Sequence, residues 1–401
     1  MTVDRVSGFY ERFPYPPPRD DLDAYRRAWN ERRRRAESFL FWPHQPYRDD
    51  RSVLVAGCGT MQAAHYAIRW PNARVTGIDV SETSLAFERS LKSKHGLENL
   101  HLRRLEIEDV GALGQSFDHI VCTGVLHHLA DPDAGLRALR SVLEPDGSLH
   151  CMVYAPYGRA GVYMVQEYCR QIGLGRSERD VDELATALRA LPPDHPIAAL
   201  LRTSPDFAER AGLADALLHP RDRAYSVAQL FAFLHDAGLE FGRWVRQAPY
   251  LPECGAIASS PHRSRLEALP PVDRFGAIEL FRGTMSRHSV IAYRNDRNAP
   301  HSIDFASDAW PSYVPVRLPN TVVVRERLPA GAAAVLINRS HTYTDLFLPL
   351  DQRELKLFNA IDDRRSIDAI ANGIADRDFR RSFFEKLWNW DQVVFDASGS
   401  S

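Results

Sequence analysis

Cysteine is scarce in this 401-residue chain, and the five present are scattered. Cys58, Cys122, Cys151, Cys169 and Cys254 never pair as C-x-x-C. Their odd number argues against a disulfide scaffold or a zinc knuckle, and for a reducing compartment. Three fall in predicted strands or the turns leaving them, where a free thiol serves as a small apolar residue. Long apolar runs are missing as well. Nothing approaches the roughly 20 apolar residues of a membrane span, and the opening "MTVDRVSGFYERF" has no apolar core of signal-peptide length. Neither sign of charge is in excess, with 50 basic against 52 acidic residues. No global positive field therefore draws nucleic acid or an anionic membrane. No internal repeat is evident. The expectation is a soluble, cytoplasmic protein, long enough for two domains or one large domain with an appendage.

From 52 to 155 the chain alternates between strand-like and helix-like segments: "SVLVAG", "QAAHYAIRW", "ARVTGIDV", "SETSLAFERSLKSKHG", "LHLRRLEI", "FDHIVCTGVL", "DPDAGLRALRSVL", a turn at "EPDG" and "SLHCMVYA". That rhythm implies βαβ units, a parallel sheet and right-handed crossovers. Residues 157–225 read as a mostly polar helical insertion broken at "LPPDHP". A helix and the strand "LEFGRWVRQ" follow, then helical sequence and the strand "HSVIAYR". Two late strands with no standard crossover between them predict an antiparallel edge. The stretch "NAPHSIDFASDAWPSY" reads as linker, and 310–396 as a small α+β domain. The N-terminal residues 1–50 form a segment of their own, with the extended "FPYPPP" ahead of a helix. In that helix, Arg32–Arg35 is expected to be a solvated face with ion pairs rather than a phosphate patch. The central domain is then 51–297.

The stretch "SVLVAGCGTMQAAHYA" runs a buried strand through Gly57-Cys58-Gly59 into a helix. Glycines allow a ligand to approach the backbone, and the helix N-terminus supplies N–H donors. Gln62 stands where a dinucleotide fingerprint needs its third glycine, and no G-K-[ST] follows, which excludes a P-loop. Asp79 ends the second strand, at the distance where an acid takes both hydroxyls of a ribose. Glu106 closes the third strand, and "CTGVLHHLADP" follows the fourth. All three lie at carboxyl ends of parallel strands, where open α/β sheets bind ligands.

With "VLVAGCGT", "VTGIDVSETSL", "FDHIVCTGVLHHLADP" and "LEPDGSLHCMVYA" in hand, the chain resembles the class I S-adenosylmethionine-dependent methyltransferases. The resemblance covers about 50–155 and the late strands to about 294. It implies a Rossmann-like seven-stranded sheet with an antiparallel last strand, and S-adenosylmethionine as cofactor. It further implies that Gly57 and Gly59 floor the donor pocket, Asp79 holds the ribose, and Glu106 approaches the adenine. Cys58, Val80, Thr123 and Gly124 complete the cofactor-binding set. Val55 replaces an acid usual in the family and Met61 replaces a glycine. "VAGCGT" together with the Pro-Tyr-Pro segment is similar to a subgroup in which the valine is ordinary.

Methyl transfer from a sulfonium needs an aligned acceptor more than elaborate catalytic groups, so acceptor-side candidates are fewer. They are His127, His128, Tyr154 and Arg159, with Tyr157, Tyr163, His219, Arg221, Asp222 and Tyr225 as possible lining. Asp222 is expected to pair with Arg221 or Arg223. Adjacent histidines diverge, so no metal site is expected. Tyr10 and Tyr15 of "YERFPYPPP" would face inward if that segment closes as a lid. The C-terminal domain resembles a small winged-helix-like fold but lacks a basic stripe, so nucleic acid is not an expected partner. Recruitment, homodimerisation or closure of the site are its expected roles. The acceptor is expected to be a small molecule or peptide-like. The rival readings are a tRNA or protein acceptor, or a non-catalytic donor-binding regulator.

Overall fold

The computed structural model describes residues 5–297, 300–374 and 376–399, in two compact units. The first unit comprises the chain up to Ala28, Asp50–Glu240 and Arg282–Asp296. The second comprises Trp29–Asp49, Phe241–Phe281 and the chain from Arg297 on. The chain passes between units within a residue of the boundaries expected at 50 and 297, and again after residues 28, 240 and 281.

The main sheet contains β1 (Ser52–Ala56), β2 (Arg74–Asp79), β3 (Leu100–Arg104), β4 (Phe117–Thr123), β5 (Leu143–Tyr154), β6 (Leu239–Trp244) and β7 (Arg287–Arg294). Their order is β3-β2-β1-β4-β5-β7-β6. The β1–β2, β1–β4, β2–β3 and β4–β5 pairs are parallel, and β7 runs antiparallel to β5. The last strand is antiparallel as expected, yet it sits inside the sheet, with β6 outside it. The "EPDG" turn is absorbed into β5, where Phe117 faces Leu143 and His119 faces Ser148 across a register shift. β1 is buried from Val53 through Ala56, as the uninterrupted apolar run of a doubly covered parallel strand requires.

Helices α1 (Arg5–Arg12) and α2 (Asp23–Ala28) precede the sheet in the first unit. A third helix, α3 (Glu31–Phe41), belongs to the second unit. The crossover helices are α4 (Gln62–Arg69), α5 (Glu82–His95) and α6 (Pro132–Ser141). Ser81 caps α5 by accepting from the Ser84 N–H, and Gly96 ends it in the left-handed region. The insertion carries α7 (Ala160–Gln171), α8 (Glu178–Leu188), α9 (Ala198–Thr203) and α10 (Arg210–Leu218), followed by α11 (Val227–Asp236). Although largely polar, the insertion has a core of its own. Val162, Val165, Val181, Leu184, Leu213 and Leu217 pack there with Phe9 and Phe13 of the N-terminal segment.

The second unit adds α12 (Arg263–Glu267), α13 (Pro271–Arg282), β8 (Val314–Arg317), β9 (Thr321–Val324), β10 (Ala334–Asn338) and β11 (Leu348–Leu350). It ends with α14 (Gln352–Ala360), α15 (Ile367–Ile370), α16 (Arg377–Asn389) and β12 (Val393–Asp396). β9, β10 and β11 form one antiparallel sheet and β12 pairs with β8 in another. Phe39 of α3 joins Phe358, Phe384 and Phe395 in the core, which draws 29–49 away from the N-terminal segment. Buried Asp391 accepts from Arg243 and from the Ala248 N–H, both at 3.0 Å, which ties in 241–281. The expected linker is instead structural. Its first two residues lie outside the described residues, but Phe305, Trp310 and Tyr313 are core. The arginine run is taken up locally. Arg32 pairs with Asp363 at 2.7 Å, Arg33 donates to Asn320 at 3.0 Å, and Arg35 lies over Phe39 and Tyr47.

All five cysteines are buried and none forms a disulfide, in keeping with thiols used as small apolar groups. Among the described residues no helix is long and apolar enough to cross a membrane.

Candidate functional site

The corner between β1 and α4 is built by glycine conformation. Gly57 (φ 69°) and Gly59 (φ 57°) are left-handed, and a Cβ on Gly57 would sit 2.5 Å from Val125 Cγ2. The Gly57 and Cys58 N–H groups donate to the Ile78 carbonyl at 2.9 and 3.0 Å. The Gly59 N–H donates to Asp79 Oδ2 at 2.8 Å, and Asp79 Oδ1 accepts from the Ser81 N–H at 2.9 Å. Three turn N–H groups are thus spent inside the protein, and none of the three is free to cradle a phosphate. Burial raises the Asp79 pKa above the ordinary carboxylate value, against the pull of the Ser81 and Gly59 N–H groups. The carboxylate keeps further lone pairs with which to accept from ligand hydroxyls.

Met61 precedes α4 without a side-chain cap. Buried Glu88 of α5 does that work, accepting from the Ala63 and Ala64 N–H groups at 2.8 and 3.0 Å. Gln62 then reaches across to donate to Thr123 Oγ1 at 2.7 Å, tying α4 to the end of β4. Neither contact has a local sequence signature.

The N-terminal segment lies directly on this corner. A Cβ on Gly59 would be 2.7 Å from the Tyr15 carbonyl oxygen, and Thr60 Oγ1 donates to the Pro16 carbonyl at 2.6 Å. Glu11 caps α5 from outside, accepting from the Glu82 and Thr83 N–H groups at 2.6 and 3.2 Å. Tyr10 donates to Asp215 Oδ1 at 2.9 Å. Burial first, then Asp215 and, more weakly, Tyr154 and Asp79, hold the Tyr10 hydroxyl protonated far above its usual pKa.

Beyond the ends of β4 and β5 lies a second, polar cluster. The 3₁₀ turn Leu126–His128 brings the His127 and His128 rings to 4.2 Å. His127 also packs on Tyr154 at 4.0 Å and His128 on His219 at 3.8 Å. The loop 219–225 is zipped to this edge by Arg223 N–H to the His127 carbonyl at 3.2 Å and Tyr225 N–H to the Tyr154 carbonyl at 2.8 Å. Buried Arg159 lies 3.6 Å over the Tyr154 ring and pairs with Asp222 at 3.2 Å. Gln166 donates to the same Asp222 oxygen at 2.9 Å. Burial works against the charge on Arg159, but Tyr154 and Asp222 outweigh it and hold the guanidinium protonated. The imidazoles are kept neutral. Burial drives His127 well below its usual pKa, His128 down to about 4 and His219 to about 2.

Several expectations change here. Asp222 pairs with Arg159 and not with its neighbours Arg221 or Arg223. Tyr157 is 43% exposed and lies outside the cluster, whereas Tyr154, Arg159 and Tyr163 converge. The adjacent histidines do not diverge, because a tight 3₁₀ turn packed on Tyr154 folds their rings together. One donor atom from each of His127, His128 and Asp222 lies within 4.8 Å of the others, and the same holds for His128, Asp215 and His219. Glu106 is exposed two residues past β3, where it starts a 3₁₀ turn without capping it.

A family model for a methyltransferase domain matches residues 48–169. An uncharacterised protein from Synechococcus sp. is 33% identical over 288 residues, covering 69% of this chain and 68% of that protein. The chain belongs to the S-adenosylmethionine-dependent methyltransferases. The ubiquinone biosynthesis O-methyltransferase of Neisseria meningitidis serogroup C is 33% identical to this methyltransferase over 105 residues, 26% of the chain and 44% of that relative. The match therefore spans less than half of that enzyme. PKMT2 from Rickettsia typhi shares the fold with a TM-score of 0.62 at 16% identity, over 90% of this methyltransferase and 73% of that chain. PKMT2 has also been solved in complex with AdoHcy. The cofactor is S-adenosylmethionine, and the corner suits it. A glycine turn with its N–H groups already paired and an acid at the end of β2 fit a nucleoside without phosphates.

Proposed function

We propose that this enzyme methylates a small-molecule or peptide-like acceptor held in the buried cluster beyond β4 and β5. In this reading Gly57, Cys58 and Gly59 floor the donor site, Asp79 and Val80 hold the ribose, and Glu106 faces the adenine. Thr123 and Gly124 flank the methionine end. When bound, S-adenosylmethionine supplies a methyl group on a positively charged sulfur, open to in-line displacement. The chain's part is to align the acceptor, exclude water and take up any proton released. Tyr154 and Arg159 would position the acceptor, with Arg159 suited to an anionic group. His127, whose ring nitrogens make no hydrogen bond among the described residues, would orient its hydroxyl or amine. His128 would brace His127 from the adjacent position. A pKa so far below neutrality makes His127 a weak base, so alignment and desolvation carry most of the rate.

Burial carries the choice of acceptor. His127 is 1% exposed and Arg159 7%, so an acceptor there must leave bulk water, which favours a small molecule or a short peptide. Part of the basic charge in the C-terminal region is met locally, Arg365, Arg377 and Arg380 pairing with Asp362, Asp308 and Asp368, and among the described residues no basic stripe of the kind nucleic-acid recognition needs runs along its helices. The test uses methyl-labelled donor with wild-type and Asp79→Ala protein in cell extract split by size. Label entering the small-molecule fraction with wild type alone is the expected result. Label entering RNA or protein overturns the acceptor class.

A further inference from the structure

Three histidines buried beside two carboxylates, with ring nitrogens that make no hydrogen bond among the described residues, are costly unless something completes them. His128 Nδ1 meets the Arg221 carbonyl oxygen at 2.6 Å, and His219 Nδ1 lies against the same oxygen. One carbonyl thus orients both rings, and the atom left on each is Nε2. Both Nε2 atoms are buried and make no hydrogen bond among the described residues. Asp215, 3% exposed, comes within 4.8 Å of a donor atom on each histidine, and Tyr10 orients its carboxylate. A ligating histidine commonly gives its other N–H to a carbonyl, and a ligating carboxylate is itself hydrogen-bonded.

We propose that His128, His219 and Asp215 form a binding site for a first-row divalent cation, with zinc as its representative. Two neutral imidazoles and one carboxylate are a borderline donor set that suits such ions. Ion binding selects the His219 tautomer that donates from Nδ1 to the Arg221 carbonyl, in place of the one that accepts from the Arg221 N–H at 3.1 Å. The neighbouring set of His127, His128 and Asp222 is the weaker choice, because Asp222 is already committed to Arg159 and Gln166. Arg159 pairs with Asp222, which takes that carboxylate out of the ion's reach. Three protein ligands leave coordination positions for a donor atom from outside the chain. The ion would sit beside the acceptor cluster, so its role there rests on the proposed function, whereas its binding does not.

The experiment uses full-length protein, stripped with chelator and titrated with zinc and with cobalt, reading calorimetry and the cobalt visible bands. One ion per chain is expected. His219→Ala and Asp215→Asn should each weaken zinc binding by more than about 100-fold, and Tyr10→Phe by about tenfold, through the ligand it orients. Circular dichroism and donor affinity on the same preparations identify any variant that has merely misfolded, and Tyr10→Phe, the mildest change, carries the test if the others do. No stoichiometric binding by folded wild type overturns the proposal. So does binding that survives in folded His219→Ala, Asp215→Asn and Tyr10→Phe, or that depends on His127 and Asp222 alone. Intact zinc binding with failed donor binding would sink the donor assignments and leave this site standing.

Discussion

Asp79 Oδ2 accepts the N–H of Gly59, twenty residues earlier in the chain, at 2.8 Å. The acid at the end of β2 is therefore both the proposed ribose ligand and the brace of the glycine turn. Asp79→Ala should weaken donor binding by about 1.5–3 kcal/mol for each charge-assisted hydrogen bond lost. Calorimetry measures this, and an unchanged affinity would remove Asp79 from the donor site.

Gly59 and Gly114 are both left-handed, at φ 57° and 62°, but only Gly59 faces a neighbour. Alanine at either position incurs a backbone penalty of about 1–2 kcal/mol. At Gly59 the new Cβ must also displace the Tyr15 carbonyl 2.7 Å away. Gly59→Ala should lower the melting temperature more than Gly114→Ala, and only Gly59→Ala should impair donor binding. Equal effects of the two would mean that the N-terminal segment does not rest on the turn in solution.

Glu88 is a buried acid whose pKa burial raises to about 8, against the Ala63 and Ala64 N–H groups that favour the charged form. The folded state keeps a proton that the unfolded state releases between about pH 4.5 and 8. The contribution of this group to stability is therefore greatest at low pH and declines as pH rises through 8. Glu88→Gln should flatten that part of the stability profile in denaturant titrations. Glu88→Ala, which strands two helix N–H groups, should cost about 1–3 kcal/mol for each N–H left unsatisfied.

Arg159 and Asp222 are 8% and 3% exposed in their side chains, and their pairing is buried. Removing one partner of a buried pair costs about 3–5 kcal/mol, because the other charge is stranded. Arg159→Met should destabilise the fold, and Arg159→Met with Asp222→Asn should recover part of the loss. The double variant should keep donor affinity within about twofold while turnover falls by at least tenfold, or about 1.4 kcal/mol of barrier. Wild-type turnover in the double variant would take this pair out of the acceptor site.

The parallel sheet was legible because its strands are short apolar runs punctuated at fixed intervals by helix signals. Asp79 and the glycines were legible for a related reason, since strand ends and tight turns leave local marks. What escaped were contacts made across the chain. Glu88 caps a helix from another helix, and no spacing near Met61 indicates it. Asp215 and Tyr10 meet over 205 residues, and Arg159 finds Asp222 across the insertion. The linker assignment failed because Phe305, Trp310 and Tyr313 are few and widely spaced, although each is bulky enough to anchor a core. The separation of 29–49 from the N-terminal segment was hidden likewise, since a short arginine-rich helix looks solvated until Phe39 is seen to be buried.

The N-terminal segment leaves the ribosome well before the residues it packs on. Glu11 waits for Glu82 and Thr83, and Tyr10 for Asp215. Until residues 160–218 have been synthesised, Phe9 and Phe13 have no core to enter. The donor corner can form early from local βαβ contacts, but its cover cannot. Nascent chains stalled before Asp215 should therefore bind donor, if at all, in an open pocket, and their exposed N-terminal aromatics should attract chaperones.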